Sequence, residues 1–533
     1  MSASTDPAGK SFDVAIVGGA LAGAATATLL LRARPQLRVA IIEKSEKFGR
    51  RVGEATVELS AFFLSRVLGL TRHLNESHLV KQGLRFWFAN DASRALDQCS
   101  EIGGRYLARV PSYQVDRAVL DQEILGRAIN LGAVLFRPAS VQRIDLHAGE
   151  MQRVHVRSDG QELTLTARWV VDASGLAALL ARQQGWLEPN TLHPTTAVWS
   201  RWRGVKDMDD WEMVRRFPEW SRACYGIRNT ATNHFMGDGW WAWCIPLKGG
   251  DVSVGVVFDQ RFVQWPEGGS LGERLKDFLC QHPVGRELLS DATWTEGDVH
   301  WRKNLPYCSK VFAGDGFVLV GDAAGFLDPF YSPGMDWISF TTFRAAELIL
   351  AQQEGRAIEG MIARQNHHFH RSYWRWFEAL YRDKYVYMGD FDLMRLAFLL
   401  DLGLYYLGVA WPAYRLGTPA LLSPAFATDR ATPAFLLMQM YNRRLAQIAR
   451  ARRERGCFGR SNANQRFLFA GYTFSFWSLK PLFKALFGWA RLEMQEGWRT
   501  WFGNRRRRAK GQGTKAKKSA VPHRPRAAVQ VVR

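Results

Sequence analysis

The residues with the clearest chemical potential are Gly18-Gly19-Ala20-Leu21-Ala22-Gly23. They follow an apolar run, Phe12–Val17, and open a small-residue segment reaching about Arg34. A second apolar run, Arg38–Ile42, ends at Glu43. Strand, tight turn, helix, strand and acid in one βαβ unit of roughly thirty residues is the arrangement that binds a dinucleotide. Gly18 permits the turn. Unpaired N–H groups at the helix start attract a pyrophosphate. Gly23 lets helix and strand approach, and Glu43 can accept ribose hydroxyls. The middle glycine of the pattern is Ala20, whose methyl group shifts a phosphate only slightly.

Three later stretches have the organisation of a flavin site. Tyr113–Arg117 precedes an amphipathic helix with Leu120, Ile124, Leu125 and Ala128 on one side; Asp116 reads either as its cap or as support for the flavin domain. Arg168–Val171 is a short strand running into Asp172-Ala173-Ser174-Gly175. Phe317–Val320 leads into Gly321-Asp322, then Asp328-Pro329, and Ser332-Pro333-Gly334 opens another helix through Trp337 and Phe340 to Leu350. Asp322 is placed to accept a ribityl hydroxyl. A helix start aimed at a flavin pyrimidine would stabilise negative charge on the reduced ring. Strand ends near 18, 172 and 321 imply an FAD domain interrupted by insertions.

The chain resembles the flavin-dependent halogenases, within the aromatic-monooxygenase superfamily, over roughly residues 11 to 350. The resemblance rests on Gly18-x-Ala20-x-x-Gly23 with Glu43, on Gly53-Glu54-Ala55-Thr56, on Lys81-x-Gly83-x-x-Phe86, and on Trp241-Ala242-Trp243-Cys244-Ile245-Pro246. The last run is the most specific. The resemblance implies a Rossmann-like FAD fold of the aromatic-hydroxylase (GR2) type, with an inserted antiparallel substrate-side sheet and a mostly helical C-terminal region. It implies FAD reduced by a separate flavin reductase, and oxygen and halide converted to hypohalous acid. That acid would cross a tunnel to Lys81 and then halogenate an aromatic or electron-rich ring. Lys81 would serve as hydrogen-bond donor or as a haloamine. Trp241, Trp243, Ile245 and Pro246 would wall flavin from substrate. Gly18, Ala20, Gly23, Glu43, Asp172, Gly175, Gly321, Asp322 and Pro329 would hold the cofactor, and Ser332, Pro333 and Gly334 the halide.

One departure matters. The family reads S-x-G or S-S-G where this chain has Ser332-Pro333-Gly334, and Pro333 has no N–H to offer an anion. Tyr331 stands where tryptophan-specific members carry a glutamate, so free tryptophan is not the expected substrate. Glu54 is a candidate for loop or flavin support. An FAD monooxygenase that uses no halide is therefore an alternative, and a non-catalytic flavoprotein or membrane-associated binding protein is a third.

The elements that must position these groups divide the sequence as follows. Residues 11–185 form the first FAD part, with an insertion at about 80–110; 186–300 the substrate-side β-rich part; and 301–375 the last FAD part. Residues 376–504 form the helical region and 505–533 a disordered basic tail. The 533 residues are 47% hydrophobic and 23% charged, so a large core is available and global disorder is excluded. Six cysteines without a C-x-x-C pair exclude a disulfide scaffold or zinc ribbon, and no metal site is expected. The polar N-terminus lacks a signal peptide's features, which points to the cytoplasm. Net charge is +21, and eleven Lys or Arg without an acid lie in residues 505–533. No nucleic-acid motif accompanies that charge, so specific nucleic-acid binding is not expected. Leu396–Trp411 is apolar around a single acid, Asp401, and reads as a buried or interfacial helix rather than a span. Phe467–Trp477, with Lys480, Phe483, Lys484, Leu486 and Phe487, leaves three readings open: peripheral contact with the inner face of a membrane, a lid over a substrate channel, or core packing.

Overall fold

The computed structural model describes residues 11–500, apart from 225, 476–478 and 499. Along the chain, β1 (Ser11–Val17), α1 (Leu21–Ala33) and β2 (Val39–Ile42) are followed by a short helix, α2 (Glu58–Phe62). Strands β3 (Leu84–Phe88) and β4 (Ser100–Gly104) come next, then α3 (Arg117–Asn130) and β5 (Val134–Phe136). A hairpin, β6 (Ala139–Asp145) and β7 (Gln152–Ser158), leads to β8 (Gln161–Asp172). After these come β9 (Thr195–Arg203), β10 (Thr232–Gly237), β11 (Trp240–Pro246), β12 (Val252–Asp259) and β13 (Phe317–Leu319). The rest is largely helical: α4 (Gly334–Gln353), α5 (Glu359–Trp376), α6 (Phe391–Tyr405) and α7 (Thr432–Glu454), then β14 (Arg466–Phe469) and α8 (Lys480–Leu492).

The first sheet has the order β13-β8-β1-β2-β5, all parallel, with β7 and β6 added antiparallel beside β8. β1 and β2 are buried almost throughout and read as continuous Val, Ala and Ile, as strands covered on both faces must. Helices α1, α3 and α4 supply that cover, and the turns after β1, β8 and β13 meet at the carboxyl end of the sheet. In this fold type ligands bind at that end.

The second sheet runs β9-β12-β11-β10-β3-β4-β14. Its central strands are antiparallel, but β10 pairs with β3 and β4 with β14 in parallel, so the sheet is mixed rather than wholly antiparallel. The insertion near 80–110 is thus part of the substrate-side sheet, and the C-terminal region returns a strand to its edge. Both faces are covered. Ala242 and Cys244 of β11 join a core with Trp87, Trp202 and Val254, while Trp241, Trp243 and Ile245 face the C-terminal helices. The two-residue period of a strand separates the two sets.

The apolar run around Asp401 is explained by packing. Phe391–Leu416 is long and apolar enough to cross a membrane, but 67% of an 18-residue apolar window within it is buried in the fold. Asp401 accepts hydrogen bonds from Lys384 Nζ at 2.6 Å, Tyr331 Oη at 3.1 Å and Tyr441 Oη at 2.5 Å. A buried acid is tolerated where a cation and several hydrogen bonds satisfy it. Trp477 and the 505–533 segment lie outside the described residues.

Candidate active site

The turn after β1 is built by close contact. Gly18 has φ +101°, and a Cβ there would meet the Ala173 carbonyl oxygen at 2.5 Å. A Cβ on Gly23 would meet the Gly18 oxygen at 1.9 Å, so Gly23 serves helix packing. Ala20 is the N-cap of α1 and supplies no side-chain cap; Leu21 N donates instead to buried Asp121 Oδ1 at 3.2 Å, and Gly18, Ala20, Leu21 and Ala22 line the rim of a cavity. Glu43 is buried and lines the cavity; its two oxygens accept from Gly19 N and Ser45 N, both at 2.8 Å. Asp322 also lines it, and burial pushes its pKa up to about 6 against the pull of Arg117 and Arg302. A carboxyl in that condition gains from a hydroxyl donor. A glycine turn leading into a helix start, an acid at the end of β2 and an acid after β13 together fit the pyrophosphate, ribose and ribityl groups of FAD.

Three of the residues expected to hold cofactor, Gly23, Asp172 and Gly321, do not line the cavity. Asp172 lies beneath the loop, accepting from Ser174 N at 2.9 Å and Leu180 N at 2.8 Å. It pins the turn that presents Gly175, whose φ is +63°. Gly321 likewise shapes a turn, with φ +58° and neighbours Ile338 and Ala22. Pro246, at the end of β11, is also absent from the lining, whereas Trp241, Trp243 and Ile245 are on it.

Pro329, Tyr331, Ser332, Pro333 and Gly334 line the same cavity. Tyr331 and Ser332 are both left-handed, at φ +71° and +59°. Each such residue costs on the order of 1 kcal/mol, so the surroundings must hold the loop. They do so with Ser332 N donating to Pro329 O at 2.9 Å, Tyr381 Oη to Phe330 O at 2.9 Å, and Tyr331 Oη to Asp401. Buried Asp328 accepts from Tyr385 Oη at 2.9 Å and sits 2.7 Å from His193 Nε2. Tyr385 in turn accepts from Trp241 Nε1 at 2.8 Å, tying the loop to the tryptophan strand. Pro333 then caps α4, and Gly334 is its first residue.

Lys81 is 1% exposed, so it is not a surface lysine. Its Nζ donates to Thr56 O at 2.8 Å, and burial lowers its pKa to about 8. The segment carrying Thr56 gathers further groups that sequence reasoning missed. Tyr406 Oη donates to Glu58 Oε1 at 2.7 Å. Asp336 accepts from Ser60 N at 2.9 Å and Tyr405 Oη at 3.0 Å, and burial raises its pKa to about 7. Glu58 and Asp336 are the acids whose fields act on Lys81, and all five side chains line the cavity. Asp336 lies two residues past Gly334, and that short spacing was the available signal. The tyrosines come from α6 and just beyond it, far away in sequence. His234 was missed too. It stacks on Phe86 with centroids 4.9 Å apart, and burial takes its pKa down to about 3, so it is neutral.

Glu54 pairs with Arg201, whose Nε donates to it at 2.8 Å, while Arg201 Nη1 donates to Asp116 at 3.1 Å. Asp116 also accepts from Ala118 N at 2.8 Å. It therefore caps α3 and locks the FAD part to β9 at once. Glu54 supports the loop through Arg201.

One continuous cavity of about 920 Å³ joins these parts. The dinucleotide corner lies on its wall at one sheet, Trp241 and Trp243 at the other, and Lys81 is among the lining residues between α2 and α6. Fold and site together define an FAD-binding α/β flavoprotein with a second, aromatic-lined sheet. The family model for tryptophan halogenase matches residues 105–377, just over half of the chain, and the protein belongs to that family. The lycopene cyclase family model also matches residues 13–192, which contain the dinucleotide corner. Flavin-dependent halogenase chlA of Dictyostelium discoideum is 28% identical over 62% of this chain and 58% of its own. Flavin-dependent halogenase ptaM of Pestalotiopsis fici is 29% identical over 65% of this chain and 64% of its own. The matched region thus spans about six tenths of these relatives. Halogenase PltM, solved in complex with phloroglucinol and FAD, shares the fold with a TM-score of 0.70 at 20% identity, over 85% of this chain and 94% of that one.

Proposed function

We propose that the protein is a flavin-dependent halogenase acting on an electron-rich aromatic ring. When bound and reduced, FAD supplies the oxygen chemistry that converts halide to hypohalous acid. The chain's residues hold and route the rest. The turn at Gly18, the start of α1 and Glu43 bind the nucleotide end, and Asp322 holds the ribityl chain. Trp241 and Trp243 separate the flavin side from the ring to be modified and exclude water between them. Lys81 holds the hypohalous oxygen by hydrogen bonding from its ammonium. Asp336 is placed to take the ring proton, since a carboxyl near neutrality accepts a proton at working pH. PltM's phloroglucinol complex supports a hydroxylated arene as the substrate class, and Tyr331 opposes free tryptophan. A separate reductase and a cytoplasmic setting complete the reading.

The observation that carries it is the single cavity in which a buried Lys81 shares walls with the dinucleotide corner. The test is Lys81→Ala with reduced FAD, oxygen, bromide and a panel of phenols including phloroglucinol. Halogenated product should be lost while flavin oxidation continues; unchanged halogenation would sink the role of Lys81. A halide-free monooxygenase is the second reading, because Pro333 offers no N–H and Ser332 N is already used by Pro329 O. Labelled oxygen in the product without halide would favour it.

A further inference from the structure

We propose that α8 and the helical turn that follows it form a docking surface for an anionic lipid bilayer. One side of α8 is fixed to the protein. Leu482, Ala485 and Leu492 are buried, and a Cβ on Gly403 of α6 would meet Leu482 at 2.8 Å. The other side presents Phe483 and Phe487, which are 51% and 80% exposed, and in the helical turn after α8 Met494 is 72% exposed. A spacing of four residues puts Phe483 and Phe487 on one helical face. Lys484 and Arg491 are exposed on the same helix. The acids of this segment turn inward: Arg444 Nε donates to Glu493 at 2.9 Å, Arg452 Nη2 to Glu496 at 2.7 Å, and Arg455 Nη2 to Glu496 at 2.9 Å. What faces outward is therefore apolar and cationic. In sequence, Trp501 and Phe502 follow, then the eleven Lys or Arg of residues 505–533 without an acid.

Aromatic side chains on one helical face insert at the headgroup boundary, and adjacent cations are drawn to anionic lipid. Nucleic acid would use the cations but gains nothing from an apolar stripe at helical spacing, and a protein partner would need no run of unopposed charge. The geometry also gives the surface a use. α6 lies between α8 and the cavity, lining the cavity with Phe398, Leu402 and Tyr405 while packing α8 through Leu396 and Gly403. A lipophilic arene dissolved in the bilayer would be held one helix away from the site.

The test is co-sedimentation of the full chain with vesicles of phosphatidylcholine alone, or with roughly one third phosphatidylglycerol. The protein should sediment with the anionic vesicles and at least about tenfold less with the neutral ones. Phe483→Ser/Phe487→Ser should weaken binding roughly tenfold with its melting temperature and flavin content unchanged, since both side chains point to solvent. Removal of residues 505–533 should weaken binding and flatten its salt dependence. Three results would overturn the proposal: no sedimentation with anionic vesicles; sedimentation unaffected by the double Phe change; or binding to a DNA duplex that competes fully with vesicles.

Discussion

At Lys81 the buried ammonium has a cost and a use. Its folded pKa of about 8 lies below the ordinary lysine value of 10.5, so the unfolded chain binds more protons between those values. Stability therefore rises with pH across that window, and the penalty is fully present below about pH 8. Lys81→Met should stabilise the protein at pH 7 by roughly 2–3 kcal/mol, with the gain fading toward pH 10.5, as read by denaturant melts at several pH values. If the ammonium is the working form, halogenation should fall as pH rises through about 8. A rising limb there would assign the role to the free amine instead. Lys384 shows the opposite case, a buried cation with a full partner. Lys384→Met leaves the buried Asp401 carboxylate with its two tyrosine donors but no cation, and should destabilise by about 3 kcal/mol, with much of that recovered in Lys384→Met/Asp401→Leu.

The element that decides between the two functional readings is the loop entering α4. Two left-handed residues, Tyr331 and Ser332, are held there by hydrogen bonds from distant tyrosines, and Pro333 fixes the first turn. Pro333→Ser restores one N–H at the point where an anion would sit. For a halogenase with a weakened halide site, the bromide concentration giving half-maximal rate should fall by about tenfold or more, because one added hydrogen bond to a charged group contributes about 1.5–3 kcal/mol. Steady-state rates against bromide, with flavin oxidation followed in parallel, would measure it. No change in bromide dependence would mean that the loop binds no halide through this position.

On the scale of the whole molecule, the FAD part, the substrate sheet and the C-terminal helices form interlocked layers. β3 and β4 leave the FAD part to join the second sheet, and β14 returns from the C-terminal region to its edge. Glu54, Arg201 and Asp116 join the first part to β9, and the core behind Trp241 is closed by Phe398, Leu445 and Leu482. A fragment ending at residue 375 would expose that core and the edge of β4. It should be insoluble or molten, with high dye binding and no sharp melting transition, whereas a cut at 504 should leave the melting temperature within a few degrees of the full chain's.

Local chemistry follows from each residue and its near neighbours in the chain. Turns that only glycine can make, strands of continuous Val, Ile and Ala, the alternation of Trp241, Trp243 and Ile245, and the helix opened at Pro333 and Gly334 all follow from short-range sterics and period. For that reason the βαβ turn at Gly18 and the alternation of the tryptophan strand were legible in the sequence. Tertiary structure alone decided what faces what. Asp172 belongs to a strand end that looks like a cofactor contact, yet both its oxygens bind the loop above it. Asp401 looks like a fault in an apolar helix until Lys384, Tyr331 and Tyr441 close around it. Asp336 acts on Lys81, and Tyr405 and Tyr406 bond Asp336 and Glu58, only once α4 and α6 pack beside α2, hundreds of residues later in the chain. The physical reason is range: backbone sterics and side-chain period act within a few residues, whereas burial, pKa and ion pairing are set by whichever segments the packed core brings together.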